Sequence, residues 1–477
     1  MTASTGADRS SRSRWLALVV LCAGFLLIVV DLTIVNVALP AIQRDLGFTP
    51  AGLAWVVNSY LIAFSGLMLL AGRVGDLVGR KRLYIAGLAV FTGASALCGI
   101  STDQTMLVLA RFVQGIGAAT SSALVLAMIV RLFPSQHERA EAFGVFGFVA
   151  AAGGAIGLLA GGAITQVLSW HWIFFVNLPL GLVAIVASVR LISEDAGLGL
   201  RGGADYLGAL FITLALMVGV YAIVQSDGWF GAVAIALLVA FVVRQSLERQ
   251  PIMPLRLFAS RTLSTASTLQ AMLAAAFLGL FFMASLDFQR VLGFSPLAIG
   301  LAFLPCAGLS GIVSVLFSAP LSERIGPLFT LLVGQAAIAI GLLMLGLGPT
   351  AASYPVHLLV PMILLGTGGG LCFPALASIA MAKVNPDDAG LASGLLNTAG
   401  QIGGALGIAV MAALAAARYI DGVRAGSATT DALAAGYHFT WLIGAGTVAV
   451  SMLVAATLFR QVEAISFDSG ARVELLP

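Results

Sequence analysis

Long apolar runs alternate with short polar breaks through nearly the whole chain. Each run can form a helix that crosses a bilayer, which takes about 20 apolar residues. The pattern predicts fourteen such helices, at 15–40, 53–72, 83–101, 105–132, 143–168, 172–192, 205–225, 230–246, 265–287, 296–318, 328–348, 356–382, 389–416 and 437–460. This is the pattern of an all-α polytopic membrane protein. The first run is too long for a cleavable signal peptide, and no small-residue cleavage site follows it.

Basic residues orient the spans. With the N-terminus in the cytoplasm, nineteen Lys and Arg fall in inside loops and termini, four in outside loops, and Arg111 within a span. One miscounted span would erase that bias. An even number of spans with both termini cytoplasmic is therefore expected, in a bacterial cytoplasmic membrane.

The halves repeat weakly. Gly72 to Arg82 reads GRVGDLVGRKR after the second span, and Ala319 to Pro327 reads APLSERIGP after the tenth. Aligning Gly79 with Gly326 sets Asp76 over Glu323, Gly75 over Ser322 and Gly72 over Ala319. Two similar halves suit a transporter with its site at the membrane midplane. The domains expected are a cytoplasmic N-terminus (1–14), a six-helix bundle (15–192), an inserted transmembrane hairpin (205–246), a second six-helix bundle (262–460) and a cytoplasmic tail (461–477).

Composition narrows the function. Of 477 residues 60% are hydrophobic and 9% charged, against about 25% charged in soluble domains. A net charge of +3 gives no footprint for nucleic acid. The four cysteines all lie in apolar runs, at spacings that suit neither a disulfide framework nor a metal site. The four histidines form no HExxH pattern, no GxSxG elbow occurs, and no GxxxxGK[ST] loop is present to bind ATP. Neither an enzyme nor a resident metal or cofactor is expected; the energy source would be the proton-motive force.

The candidate chemistry is carried by charges inside spans. Asp31 sits well within the first, where a carboxylate costs roughly 2.5–3.5 kcal/mol to insert. Such acids mark ion pathways by default. Asp31 can be a structural hydrogen-bonding group, a counter-ion to Arg111, or a coupling group that exchanges a proton for a cationic substrate. Asp287 ends the ninth span and reads as a solvated helix-end acid; facing the central cavity, it would add cation affinity, while Asp205 and Asp227 flank the inserted hairpin as ordinary helix-end charges. Asn36, Asn58, Tyr60, Gln114, Gln289, Asn397 and Gln401 are polar groups that either line a cavity or join helices. Gly72, Gly75, Asp76, Gly79, Arg80, Lys81, Arg82 and Glu323 read as a conformational latch, with the cations free to pair with Glu138 or Glu141. Gly366 to Pro374 (GTGGGLCFP) predicts a broken or kinked helix.

These motifs resemble the major facilitator superfamily, in particular its fourteen-span drug:proton antiporters of the EmrB/QacA type. The matching segments are DLTIVNVALP from Asp31 to Pro40, the Gly72 to Arg82 loop, Arg111-Phe-Val-Gln114-Gly115-Ile-Gly117, Trp170 to Gly181, Gln289 to Pro296, and Asn397 to Gly404. The resemblance covers roughly residues 15–460. It implies a major facilitator fold of two pseudo-symmetric six-helix bundles plus a two-helix insertion. It also implies proton-driven export of hydrophobic, often cationic compounds by a monomer, with Asp31 and Arg111 handling substrate and protons. A substrate-specific exporter of a self-made antibiotic or metabolite is the alternative, and a passive channel or sensor a further one. Two positions depart from the family. Its helix-five proline is Leu158 here, although Gly153, Gly157, Gly161 and Gly162 keep a flat packing face, and its Trp-Arg-Trp is Trp170-His171-Trp172.

Overall fold

The structure, a computed structural model, describes residues 4–49, 52–133, 135–194, 197, 199, 203–350, 352–382, 384 and 389–473. Sixteen α-helices are found among them: α1 (Ser4–Leu46), α2 (Ala54–Val78), α3 (Arg80–Gly99), α4 (Gln104–Leu132), α5 (Gln136–Val167), α6 (Trp172–Phe175), α7 (Asn177–Leu191), α8 (Tyr206–Gln225), α9 (Gly228–Leu247), α10 (Arg261–Arg290), α11 (Pro296–Leu316), α12 (Ser318–Ile325), α13 (Pro327–Gly346), α14 (Leu359–Met381), α15 (Ala389–Arg424) and α16 (Thr429–Val473). Fourteen segments are long and apolar enough to cross a membrane, with α6 and α7 forming one. The protein is thus a multi-pass membrane protein, and the count matches the one expected.

Short polar side chains start several helices by accepting orphan backbone N–H groups. Asp103 caps α4 through Met106 N (3.0 Å), Ser135 caps α5 through Glu138 N (3.3 Å), and Ser295 caps α11 through Ala298 N (3.3 Å). Helices α1 to α7 pack on one another, as do α10 to α16. Between them, α8 lies against both α2 and α15, with α9 on its outer side. A side chain at Gly66 of α2 would collide with Thr213 of α8, so this hairpin is packed in closely.

The two halves meet through α5 with α11, α2 with α15, and α1 with α10. At the face opposite the termini, the Ser285 hydroxyl donates to the carbonyl of Asn36, and Leu297 N donates to Gln166 Oε1 (3.1 Å). A Cβ at Gly162 would lie 2.6 Å from the Pro296 carbonyl oxygen, and one at Gly300 would lie 2.5 Å from that of Leu158. Helix five also fits α1: a Cβ at Gly157 would be 2.8 Å from Val30 O, and at Gly161 2.7 Å from Ile34 O.

The sequence repeat has a backbone counterpart. Gly79 adopts φ +102° and Gly326 φ +86°, each donating its N–H four residues back, to Gly75 and Ser322, over 3.0 Å. These are the pairs aligned in the sequence. L-residues adopt such backbone at a cost of about 1–3 kcal/mol. Gly79→Ala and Gly326→Ala are each expected to lose about that much stability, read as a fall in the thermal unfolding midpoint of the purified protein. A native midpoint in both would mean that these turns relax freely.

Two expectations need correction, and the pairing expected of the latch cations is narrowed. The Gly366–Pro374 stretch, expected to be broken or kinked, runs within α14 without a break, with Pro374 inside the helix. Its glycines serve contact instead: a Cβ at Gly366 would meet Cys306 Cα at 2.9 Å, and one at Gly370 would meet Ser310 O at 2.6 Å. Glu138 pairs with Arg14 of α1 (3.1 Å), while Arg80 pairs with Asp76 (2.8 Å) across the Gly79 turn; Arg82 lies 3.8 Å from Glu194, and Lys81 donates to Val189 O (2.9 Å). Asp205 is more than a helix-end charge. It caps α8, is buried, and receives Arg244 Nε (3.1 Å) and Gln245 Nε2 (2.6 Å) from α9, which clamps the hairpin.

Candidate transport site

Asp31 and Arg111 meet inside the first bundle, each with 0% of its side chain exposed, and Arg111 Nη1 lies 2.6 Å from Asp31 Oδ2. Arg111 also donates through Nε to Val56 O (3.1 Å) and through Nη1 to Gln114 Oε1 (2.7 Å). The other carboxylate oxygen, Oδ1, accepts from Gln114 Nε2 and Asn177 Nδ2, both at 2.8 Å. Gln114 Nε2 further reaches Ser95 Oγ at 2.7 Å. The guanidinium stands 4.3 Å from the ring centroid of Tyr60 and 5.8 Å from that of Phe174. Helices α1, α2, α3, α4, α6 and α7 therefore all contribute to one point.

The local reasons are simple. Arg111 and Gln114 are three residues apart on α4 and share a face. Asn177 begins α7, directly after the four-residue α6, which sets its amide beside Asp31. Trp170, just ahead, donates Nε1 to Asp45 Oδ2 (2.8 Å) and stacks on His171 (3.7 Å between centroids), which pins this corner to the end of α1.

Three donors on one carboxyl, one of them cationic, hold a buried charge that would otherwise be costly. The Arg111 Nη2, the Tyr60 hydroxyl and the Asn177 Oδ1 are buried without a hydrogen-bond partner among the described residues, leaving room for rearrangement. Adding a proton to Asp31 cancels the ion pair and turns an acceptor into a donor. The cluster can thus exist in two hydrogen-bonding arrangements.

The predicted residues divide. Asp31, Arg111, Gln114 and Tyr60 come together. Asn58 is buried close by in sequence on α2, with neither amide atom partnered among the described residues. Asn36 is buried and donates to Leu32 O (3.3 Å) on its own helix. Gln289 and Gln401 are half-buried, and Asn397 and Glu323 are exposed. Asp287 is corrected: only 3% of it is exposed, and its Oδ1 has no partner among the described residues. Ser95, Asn177, Phe174 and the Val56 carbonyl were missed. Asn177 and Phe174 had a signal, their place in the Trp170–Gly181 segment.

The general family model of the Major Facilitator Superfamily matches residues 21–408, and the chain belongs to that superfamily. It is 36% identical over 460 residues to puromycin resistance protein pur8 of Streptomyces alboniger, covering 93% of this chain and 91% of that one. It is 35% identical over 428 residues to cephamycin export protein CmcT of Amycolatopsis lactamdurans, covering 86% and 88%. Among solved structures it resembles the bacterial homolog of the human lysosomal transporter Spinster in its inward-facing, unoccupied conformation, with TM-score 0.69, 17% identity, and 94% and 98% of the two chains covered.

Proposed function

We propose that this protein is a proton-coupled exporter of antibiotic-like compounds, working by alternating access with its termini in the cytoplasm. The observation that carries the reading is the Asp31–Arg111 pair, buried and ion-paired where charge is most costly. In this mechanism a proton loads Asp31 from the outer side and frees it from Arg111, while the Val56 carbonyl and the Tyr60 ring retain the guanidinium. Return of the proton to the cytoplasm restores the pair. The energetics suffice: a proton falling through 100 mV yields about 2.3 kcal/mol and a unit of ΔpH roughly 1.4, together enough for a gradient on the order of a few hundred-fold.

The Asp76–Arg80 pair at the Gly79 turn, with Gly199 N donating to Leu77 O (3.0 Å) beside it, supports a latch on the terminal face. Arg73 donates to Gly203 O (3.3 Å) and to Gln250 Oε1, which ties the hairpin segments to the same loop. The protein works as a monomer in this reading.

A narrower second reading is favoured by the relatives, since both are named for one antibiotic each: a dedicated exporter of a single compound. The deciding assay uses energised inside-out vesicles with ethidium and with puromycin, following substrate and lumenal pH. Substrate-driven proton efflux in the native protein that disappears in Asp31→Asn is expected. Efflux that persists in Asp31→Asn would remove Asp31 from coupling. Response to one compound only would favour the dedicated exporter.

A further inference from the structure

The second bundle contains a buried acid that the Asp31 mechanism does not use. Asp287 lies in the last turn of α10, at the face opposite the termini, and lines a small enclosed cavity with Leu292, Thr350, His357, His438 and Trp441. The cavity has room for about one water. Two of its lining residues carry buried, complementary atoms. Asp287 Oδ1 is an acceptor and Trp441 Nε1 a donor, and neither has a hydrogen-bond partner among the described residues. Buried polar atoms are almost always satisfied, by protein or by ordered water, so a water between these two is the arrangement the chemistry asks for.

The cavity is not isolated. Leu292, Thr350 and Ala352 also line an open groove that reaches Thr430 and Asp431 at the surface of the same face. His438 stacks on Trp441 (5.3 Å between centroids), and His357 Nδ1 accepts from Ser353 N (3.2 Å). The hydroxyl of Thr350, the imidazoles of His357 and His438 and the Asp287 carboxyl therefore share one cavity that adjoins the groove.

Charged and titratable groups line the cavity and its rim or act on Tyr437 beside it. They are Arg290 on its own helix, Tyr437 and His438 on α16, Tyr419 on α15, His357 ahead of α14, and Asp431 at the rim. Helix α13 contributes Met344 and Leu345. No ion pair to the Asp287 carboxyl is found among the described residues. A buried carboxyl so placed either carries a proton or takes up a small cation.

We propose that Asp287 is a second protonatable carboxyl, filled from the outer face through the cavity at Thr350, His357 and His438. A proton from the outer medium is relayed by a water, which takes up one proton from the groove side as it gives one to Oδ1, and the carboxyl becomes neutral. Two residues earlier, Ser285 holds the Asn36 carbonyl of the first bundle, so acidity at this face acts on the segment that closes the two halves together. The inference rests on the orientation proposed above, with this face outside the cell.

The test is labelling with dicyclohexylcarbodiimide, which attacks protonated carboxyls in apolar surroundings. Right-side-out vesicles carrying the full chain are held at fixed lumenal pH while the outer medium is stepped from acid to alkaline. The adduct on the Asp287 peptide is then quantified by mass spectrometry. Labelling that falls with the profile of a single-proton titration, and that is absent in Asp287→Asn, is the expected result. No adduct at any pH, or an adduct that follows lumenal pH alone, overturns the proposal. So does protection by sodium at constant pH, which would make this a metal-cation site. In transport, Asp287→Asn should lose the native response to outer pH while still exchanging substrate for substrate; an unchanged response overturns its place in the cycle. Labelling needs no transport, so a native protein that moves no protons would sink the antiport reading and leave this site standing.

Discussion

Replacing Arg111 with methionine is expected to destabilise the first bundle by about 3–5 kcal/mol, the usual consequence of stripping a buried charge of its partner. Asp31 would keep the amides of Gln114 and Asn177 but lose its only cation within 2.6 Å. The double variant Asp31→Asn with Arg111→Met is expected to recover most of that loss. The new amide oxygen still accepts from Gln114 and Asn177, and no charge remains to be neutralised. On the proposed mechanism neither variant exports with proton coupling, because Asp31 or its counter-ion is gone. Thermal unfolding of the purified proteins, monitored by tryptophan fluorescence, separates the two effects. If the single variant unfolds at the native temperature, Asp31 is uncharged in this state, and the ion pair is not what holds the cluster.

The second large effect is mechanical. Gly300→Leu would set a side chain 2.5 Å from the Leu158 carbonyl oxygen, beside Leu159 Cα at 3.5 Å. Both obstacles are backbone of α5, so no rotamer change relieves the clash, and overpacking of this kind costs about 1–3 kcal/mol. Because α5 and α11 belong to different halves, the strain is relieved by parting them at the face opposite the termini. Export is expected to fall to near background with both bundles still folded. The contact can be reported by cysteines placed at Gln166 and Leu297 and joined by a short bifunctional thiol reagent, since the Leu297 backbone N lies 3.1 Å from the Gln166 side-chain Oε1; the four native cysteines are buried. These should crosslink readily in the native background and poorly with Gly300→Leu. Unimpaired crosslinking and export in that variant would show that the close approach is incidental to the cycle. Leu158, standing where the family resemblance implies proline, contributes here through its backbone carbonyl, a role open to either residue.

Parts of the site were legible because charge in an apolar run is conspicuous. Asp31 and Arg111 could be singled out for that reason alone. Gln114 and Tyr60 are legible as polar groups inside spans, though Tyr60 acts through its ring face at 4.3 Å from the guanidinium. Ser95 and the Val56 carbonyl were not legible. Small hydroxyls occur in many spans as helix-joining groups, and every residue has a carbonyl. Asn177 is 146 positions from the carboxyl it supports, a distance that no local pattern bridges. Asp287 misled for a different reason. It stands at a helix end, where acids are usually solvated, but α16 and the segment ahead of α14 cover it.

The sequence by itself determined what a bilayer demands. Spans must be helical and apolar over a fixed length, so their number, the glycine turns at Gly79 and Gly326, and the exceptional charges are written locally. Only the tertiary structure decided which helix faces meet. Lipid is as apolar as leucine, so hydrophobicity does not tell a packed face from a lipid-facing one. What selects the partner is close fit, such as Gly157 on Val30 or Gly300 on Leu158, and the pairing of a few polar atoms drawn from distant segments. That is why the charge of Asp31 could be found in one line of sequence, while its companions and the covered pocket of Asp287 required the assembled helices.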